Sequence, residues 1–462
     1  MGATEAVARF LVRTSYDQLP PEAVEAARRA VLDTLGVALA GSGQEAGRLV
    51  EALAAEGGGA GQAAVWGRPL RLPAPEAALV NGVFAHALDF DDVNDSMRGH
   101  PSAPLLPAVL TLAEKLAASG HRAIEAFVLG LEVECKLGRA LGRSHYSRGW
   151  HATAVLGTLG AAAACSRLLR LDEISTRMAL GLATSMASGG RANFGTMTKP
   201  FHAGQAARSG LLAALLTHRG YTAAVDILDA DAPLGFGALF APEGDWSPDE
   251  AVASLGDPWD ILSPGVSVKK YPCCFATHRA LDAVLDLRAR HGLRPEAVER
   301  VEVVMPRGAA LPLIYSRPRT GPEGKFSLEY CLTAALLDGR VRLSTFDDGA
   351  VQRPEAQEML PRVCLREGPG EARAVVDGYA EVALITRDGS RYEGRVDHPR
   401  GSPQVPLSWE ELVAKFRDCA SLALPAEAAE RVVALVGRLQ ELRDLRELAE
   451  TLSAVGEAVR SP

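Results

Sequence analysis

In most of this chain small and branched apolar residues return at every third or fourth position, a period that confines it to packed helices. "PPEAVEAARRAVLDTLGVALAG" puts Val24, Ala27, Val31, Leu32 and Leu35 on one stripe, opens on proline and ends at Gly41. The same period runs through "PAPEAALVNGVFAHALDF", "PLLPAVLTLAEKLAASG", "AIEAFVLGLEVECKLGRAL", "TAVLGTLGAAAACSRLLRL" and "HAGQAARSGLLAALLTHRG". Alanine and glycine on the inner faces let helices approach closely, so the chain up to about residue 260 reads as a multilayer bundle. After about residue 265 the texture changes. "VERVEVVMP" (298–306), "RVCLREG" (362–368) and "YAEVALITRDGSRYEGRVDH" (379–398) are rich in β-branched residues and read as antiparallel strands turning at Asp388-Gly389. The helical segments "THRALDAVLDLRARHG" and "FSLEYCLTAALLDG" lie between them, and from "PLSWEELVAKFRDCA" the helical period returns with Ser408 as a cap. The expected fold is mainly α. A large helical domain built from both chain termini, 1–265 plus 403–462, carries a smaller α+β domain inserted at 266–402.

The balance of residues excludes several classes. A net charge of −8 offers no basic face for nucleic acid. Seven cysteines with no CxxC pair suggest neither a disulfide framework nor a zinc ribbon, and a reducing compartment fits. The N-terminal stretch carries charges throughout and does not read as a secretory signal. The run "ATAVLGTLGAAAAC" (152–165) reads as a buried helix, too short to cross a bilayer. A cytoplasmic protein with no membrane association is expected.

The chemistry concentrates in "HALDFDDVNDSMRGHPSAP" (86–104), which contains a literal DDxxD, Asp91 to Asp95. A magnesium–diphosphate site would need a second acidic cluster, and neither "DILDADAP" nor "TFDDGAV" has the spacing. No metal is expected there, and a loop of solvated aspartates is the plain alternative. His86 and Asp89, three apart on one apolar helix, share a face and are expensive there unless used. His100 follows in the loop. His151 opens the small-residue helix, Lys199 precedes the next with His202 just inside it, Lys269 and Lys270 stand at the domain junction, and Tyr330 enters a buried helix. Each alone reads as a capping or core polar residue. Together they suit a small polycarboxylate whose α-proton is removed, with cations binding carboxylates and an enolate, and His or Tyr moving protons. P-loop, dinucleotide-binding, zinc-protease and nucleophile-elbow patterns are absent.

These segments in order resemble the MmgE/PrpD family, which includes 2-methylcitrate dehydratase, cis-aconitate decarboxylase and iminodisuccinate epimerase. The resemblance rests on "LDTLGVALAG", "NGVFAHALDFDD…HPSAPLLPAVLTLAE", "GWHATAVLGTLGAAAA", "TKPFHAGQAARSGLLAALLTHRGYTA", "VKKYPCCFATHRALDAV", "KFSLEY" and "PLSWEELVAKF". It implies an inserted lid, a homodimer, and a site without metal or cofactor. It further implies that Asp89, His100, His151, Lys199, Lys269 and Tyr330 carry catalysis, while His86, Val93, His202, Lys270, Cys274 and His278 line the substrate. Two positions depart from the pattern. Val93 stands where the family often has threonine, and Cys274 stands where the decarboxylases have histidine, with His278 four residues on. Both departures argue against cis-aconitate decarboxylation. Dehydration of a 2-methylcitrate-like hydroxy acid is the leading expectation. Epimerisation of an iminodisuccinate-like dicarboxylate, or an inactive member serving as a binding or structural dimer, are the alternatives.

Overall fold

The computed structural model describes residues 1–142, 144–241, 244–372 and 378–454. It divides into two compact units, Met1–Val266 with Ser408–Pro462, and Ser267–Leu407.

The first unit is helical around α1 (Pro21–Gly41), α2 (Ala74–His86), α3 (Ser102–Lys115), α4 (Gly120–Ala140), α5 (Ala152–Leu169) and α6 (Thr198–His218). Prolines at the first positions of α1 and α2 start them without wasting a backbone donor. Buried residues lie all round α5, and α2 and α6 are buried over most of their surface, the mark of central helices. Ala152–Leu169 extends beyond the apolar run read from the sequence. Its length and composition would suffice to cross a membrane, and 89% of it is buried within the fold. α6 packs against both α5 and α2. The α2–α6 crossing is a backbone contact: a Cβ on Gly82 would lie 2.6 Å from the Gly204 Cα, and one on Gly204 would lie 2.3 Å from the Leu79 carbonyl. Only glycine at both positions permits this approach. His86 lies one turn beyond Gly82, and Lys199 and His202 lie just before Gly204, so the crossing decides which polar groups meet.

The second unit is α+β, as its texture implied. In chain order it contains α7 (His278–His291), β1 (Val298–Arg307), α8 (Leu328–Asp338), β2 (Val363–Glu371), β3 (Ala380–Thr386) and β4 (Arg391–Val396). The sheet order is β2-β1-β3-β4. β3 and β4 form an antiparallel hairpin with Leu384 opposite Tyr392, and Gly389 takes φ +86° in its turn. β1 runs antiparallel to β3 with Val301 opposite Leu384. The expectation of a wholly antiparallel sheet fails at β2, which runs parallel to β1 with Val363 opposite Val301. The physical reason lies between them: α8 and several short helices make a long crossover, and such a connection allows parallel pairing. Leu281, Val284 and Leu287 of α7, Leu332 and Leu336 of α8, and Val301, Val303, Val382 and Leu384 of the sheet share one core.

Because the crossing partner of Gly82 is backbone, which cannot swing aside, Gly82→Ala should lower stability by about 1–3 kcal/mol, measured by denaturant unfolding. A surface change such as Glu22→Ala should cost well under 1 kcal/mol.

Candidate active site

The site begins where α2 stops. His86 is its last residue, and the chain leaves through Asp89 at φ +53°, a left-handed conformation that aspartate tolerates better than most residues. Asp89 therefore lies off the helix, and the expectation that it shares a helix face with His86 is corrected. The turn instead brings both groups onto the same atom. Lys199 Nζ, in the first turn of α6, stands 2.7 Å from Asp89 Oδ1 and 2.9 Å from His86 Nε2. All three side chains are buried.

Behind this trio lies Asp91. Its Oδ2 accepts from His86 Nδ1 at 2.7 Å and lies 3.1 Å from His100 Nδ1, while His100 Nε2 is 3.7 Å from Asp89 Oδ1. Burial alone would raise the Asp91 carboxyl, but the His100 and His86 imidazoles outweigh it and hold the group well below the usual carboxylate range. Burial drives His86 the other way, down to about 3, with Asp91 opposing and Lys199 adding to the effect. A neutral His86 thus donates from Nδ1 to an ionised Asp91 and accepts from Lys199 at Nε2.

Asp91 and Asp92 are not solvated; both are completely buried. Asp92 accepts from the backbone N–H of Ser102 at 3.2 Å and from its hydroxyl, tying the first residues of the loop to the start of α3. Burial pushes Asp92 up to about 7, with Asp33 and Asp91 adding repulsion and the Ser102 bonds opposing. Only Asp95 of the three loop carboxylates is half-exposed. Val93 is buried in the loop between them.

His151 occupies the position just before the first turn of α5, where its side chain makes no capping hydrogen bond. Its Nδ1 lies 3.0 Å from His202 Nδ1, and its ring stacks 5.8 Å from His86. Burial, then the charge of Lys199 and the neighbouring histidines, keeps His151 well below the ordinary histidine value. Burial and Lys199 likewise lower His202. The first unit therefore gathers His86, Asp89, His100, His151, Lys199 and His202 into one cluster. Two further members, Asp91 and Phe194, were not anticipated. Asp91 read as loop filling, and a lone Phe in "NFGTMTK" gives no periodic signal. That it stands next to a glycine five residues before Lys199, in a chain with 5% aromatics, is the hint available.

The remaining expected residues lie in the second unit. Lys269 is fully buried, and Lys270 is exposed with its Nζ 3.7 Å from Asp282 Oδ1. Cys274 is buried and its N–H donates to the Lys325 carbonyl. His278 is buried between the Tyr271 and Phe275 rings, 5.1 and 4.8 Å away. The Tyr330 hydroxyl donates to the Thr345 carbonyl, and burial raises its pKa.

In chemical terms the first-unit cluster has one lysine, four histidines and two carboxylates, in which neutral imidazoles can accept a proton and Lys199 can stabilise a developing anion. Among the described residues, His86, Asp91 and His100 could hold a metal, since one ligand atom from each lies within 4.8 Å of the others. Two histidines and one carboxylate suit a divalent transition ion. The Lys199 Nζ at His86 Nε2 would place a second positive charge beside it, which opposes that occupancy.

His86 and Asp92 make stability depend on pH with opposite signs. His86 stays neutral when folded but protonates near 6.5 when unfolded, so stability falls as pH drops from 6.5 towards 3. Asp92 holds its proton to about 7 when folded but loses it near 3.8 when unfolded, so stability falls as pH rises between those values. Asp92→Asn should remove the second slope, at most roughly 1.4 kcal/mol per pH unit, and raise stability at pH 8 relative to pH 5 in thermal unfolding. An unchanged pH dependence would contradict the assignment.

Comparison with known proteins gives the chain its place. The chain is 32% identical to the cis-aconitate decarboxylase of Mus musculus over 95% of this chain and 91% of that protein. It is 32% identical to that of Homo sapiens over 95% and 92%, and 29% identical to that of Aspergillus terreus over 100% and 97%. The MmgE/PrpD N-terminal domain matches residues 5–249 and the MmgE/PrpD C-terminal domain matches residues 271–441. With both domains matched across the two units described above, the chain belongs to the MmgE/PrpD family.

Proposed function

We propose that this protein is a lyase of a small di- or tricarboxylate, working through an enolate-like intermediate at a carbon α to a carboxylate. The observation that carries this reading is Lys199 Nζ held at 2.7 and 2.9 Å between Asp89 and a neutral His86 inside a histidine-rich, buried cluster. Two of the three Lys199 donors are engaged, and the third serves the substrate. In a site shielded from water, one such charge-assisted bond to a developing oxyanion is strong. His151 and His202 take a further carboxylate, and His100, half-buried against Asp89 and Asp91, moves the proton. For the second unit, the roles that the family resemblance gives Lys269, Lys270, Cys274, His278 and Tyr330 are part of the same proposal, as are a homodimer and the absence of a cofactor.

Within the lyase class, dehydration of a 2-methylcitrate-like hydroxy acid uses both halves of this cluster. It needs a base for the α-proton and an acid for the departing hydroxyl, and the cluster holds neutral imidazoles beside a lysine. Cys274, where the decarboxylases have histidine, supports the same reading, and Val93, where the family often has threonine, marks a further departure from the pattern. A second reading, decarboxylation of cis-aconitate, is favoured by the relatives, which share 32% identity along nearly the whole chain. It needs no base and uses Lys199 to hold the carbanion that carbon dioxide leaves behind.

Incubation with citrate, 2-methylcitrate, cis-aconitate and iminodisuccinate, followed by product NMR and carbon dioxide release, separates these outcomes. Loss of water supports the first reading, release of carbon dioxide the second, and inversion alone would replace both with an epimerase. Lys199→Ala and His151→Ala should each lower turnover by about 100-fold or more with unchanged far-UV circular dichroism. Near-normal turnover in either variant would refute the assignment of roles.

A further inference from the structure

Phe194 is an apolar side chain that meets two of the polar groups assigned above. Its ring stands edge-on to His151, 4.9 Å between centroids at 80°, and Lys199 Nζ lies 5.5 Å from its centroid. The half-buried phenyl follows a short 3-10 turn, Arg191–Asn193, which is braced at several points. The Arg191 N–H donates to the Gly149 carbonyl and the His151 N–H to the Gly189 carbonyl, both at 2.8 Å. The Arg191 guanidinium lies 3.6 Å from the Tyr146 ring centroid, donates to the Tyr146 carbonyl at 2.7 Å, and sits 5.6 Å from the Phe194 ring. Gly195 follows at φ +84°, turning the chain into α6 and Lys199.

We propose that Phe194 is a specificity-determining residue: it forms an apolar wall of the site, against which the uncharged arm of the substrate lies while carboxylates go to Lys199 and the histidines. This deepens the lyase reading and rests on it. A phenyl ring offers no donor to a carboxylate, and its electron-rich face attracts the cations on either side while repelling an anion. A carboxylate directed at this wall would lose its hydration without replacement. A methyl or methylene group placed there keeps water away from His151 and Lys199 at no such cost. The wall also faces a titrating neighbourhood: His151 is surrounded by Lys199 and His202 from α6, His86 from α2, and His100 from the loop. Opening it to water should move the acid limb of the rate profile.

The test compares a tricarboxylate with its homologue bearing one extra methyl, citrate against 2-methylcitrate or cis-aconitate against its 2-methyl derivative. The enzymes are wild type, Phe194→Leu and Phe194→Ala. One methyl group in an apolar contact is worth roughly 10–200-fold in kcat/KM. Phe194→Ala should therefore lower kcat/KM for the methylated substrate about tenfold more than for its parent, and should raise the pH of the acid limb. Phe194→Leu, which keeps an apolar wall and guards against a folding defect, should keep most of the preference. An equal fall for both substrates, or a gain for the methylated one, overturns the proposal. If wild type turns over neither homologue, the lyase reading fails, and the wall is then judged by NMR titration of His151. A rise in Phe194→Ala towards the ordinary value of 6.5 supports the wall, and no movement overturns it.

Discussion

The cluster depends on one steric constraint, the backbone contact between α2 and α6 at Gly82 and Gly204. Helices separated by ordinary side chains pack 8–10 Å apart, whereas here glycine at both positions brings backbone against backbone. The glycine pair removes the spacer. It places the last residue of α2 and the first turn of α6 close enough for Nζ to bond His86 and Asp89 together. The packing of the core and the composition of the site are therefore one feature of the sequence, written in glycines rather than in the charged residues themselves.

Once those groups are buried, desolvation penalises every charge among them, and the cluster survives because its charges offset one another. Asp91 holds two histidines, Lys199 holds a carboxylate and a neutral imidazole, and Asp92 keeps its proton and ties the loop to α3 through Ser102. The result is a set of groups whose proton affinities have been pushed apart, with His86 down to about 3 and Asp92 up to about 7. The same arrangement also gives the carboxylates of the loop between Asp91 and Ser102 separate roles: one orients imidazoles, another fastens the loop, and only Asp95 faces outward in part.

Much of this was legible in the sequence, and what escaped has identifiable causes. The helical unit was readable because α1 and α2 repeat apolar residues at helical spacing between proline starts and glycine or polar ends. The α+β texture was readable because β1 and β3 are rich in β-branched residues. The parallel pairing of β2 was not, since periodicity carries no information about strand direction. The polar residues His86, Asp89, His100, His151, Lys199 and His202 stood out by being costly in an apolar context. Their contacts did not, because Asp89 reaches Lys199 only through a left-handed turn that no residue pattern announces. Asp91 was misjudged for the same reason: a carboxylate in a run of aspartates looks solvated until the loop is seen to close over it.

The central claim is that the buried Lys199, held by His86 and Asp89, stabilises the enolate-like anion formed when the α-proton of a small polycarboxylate is removed. Following deuterium entry from D₂O at that carbon by NMR, in wild type and in Lys199→Ala side by side, tests it most directly. The account predicts that substrate recovered before turnover is complete carries one deuterium at that carbon, placed with a single stereochemistry by wild type, and none above background with the variant. Equal rates of incorporation in both proteins would contradict it.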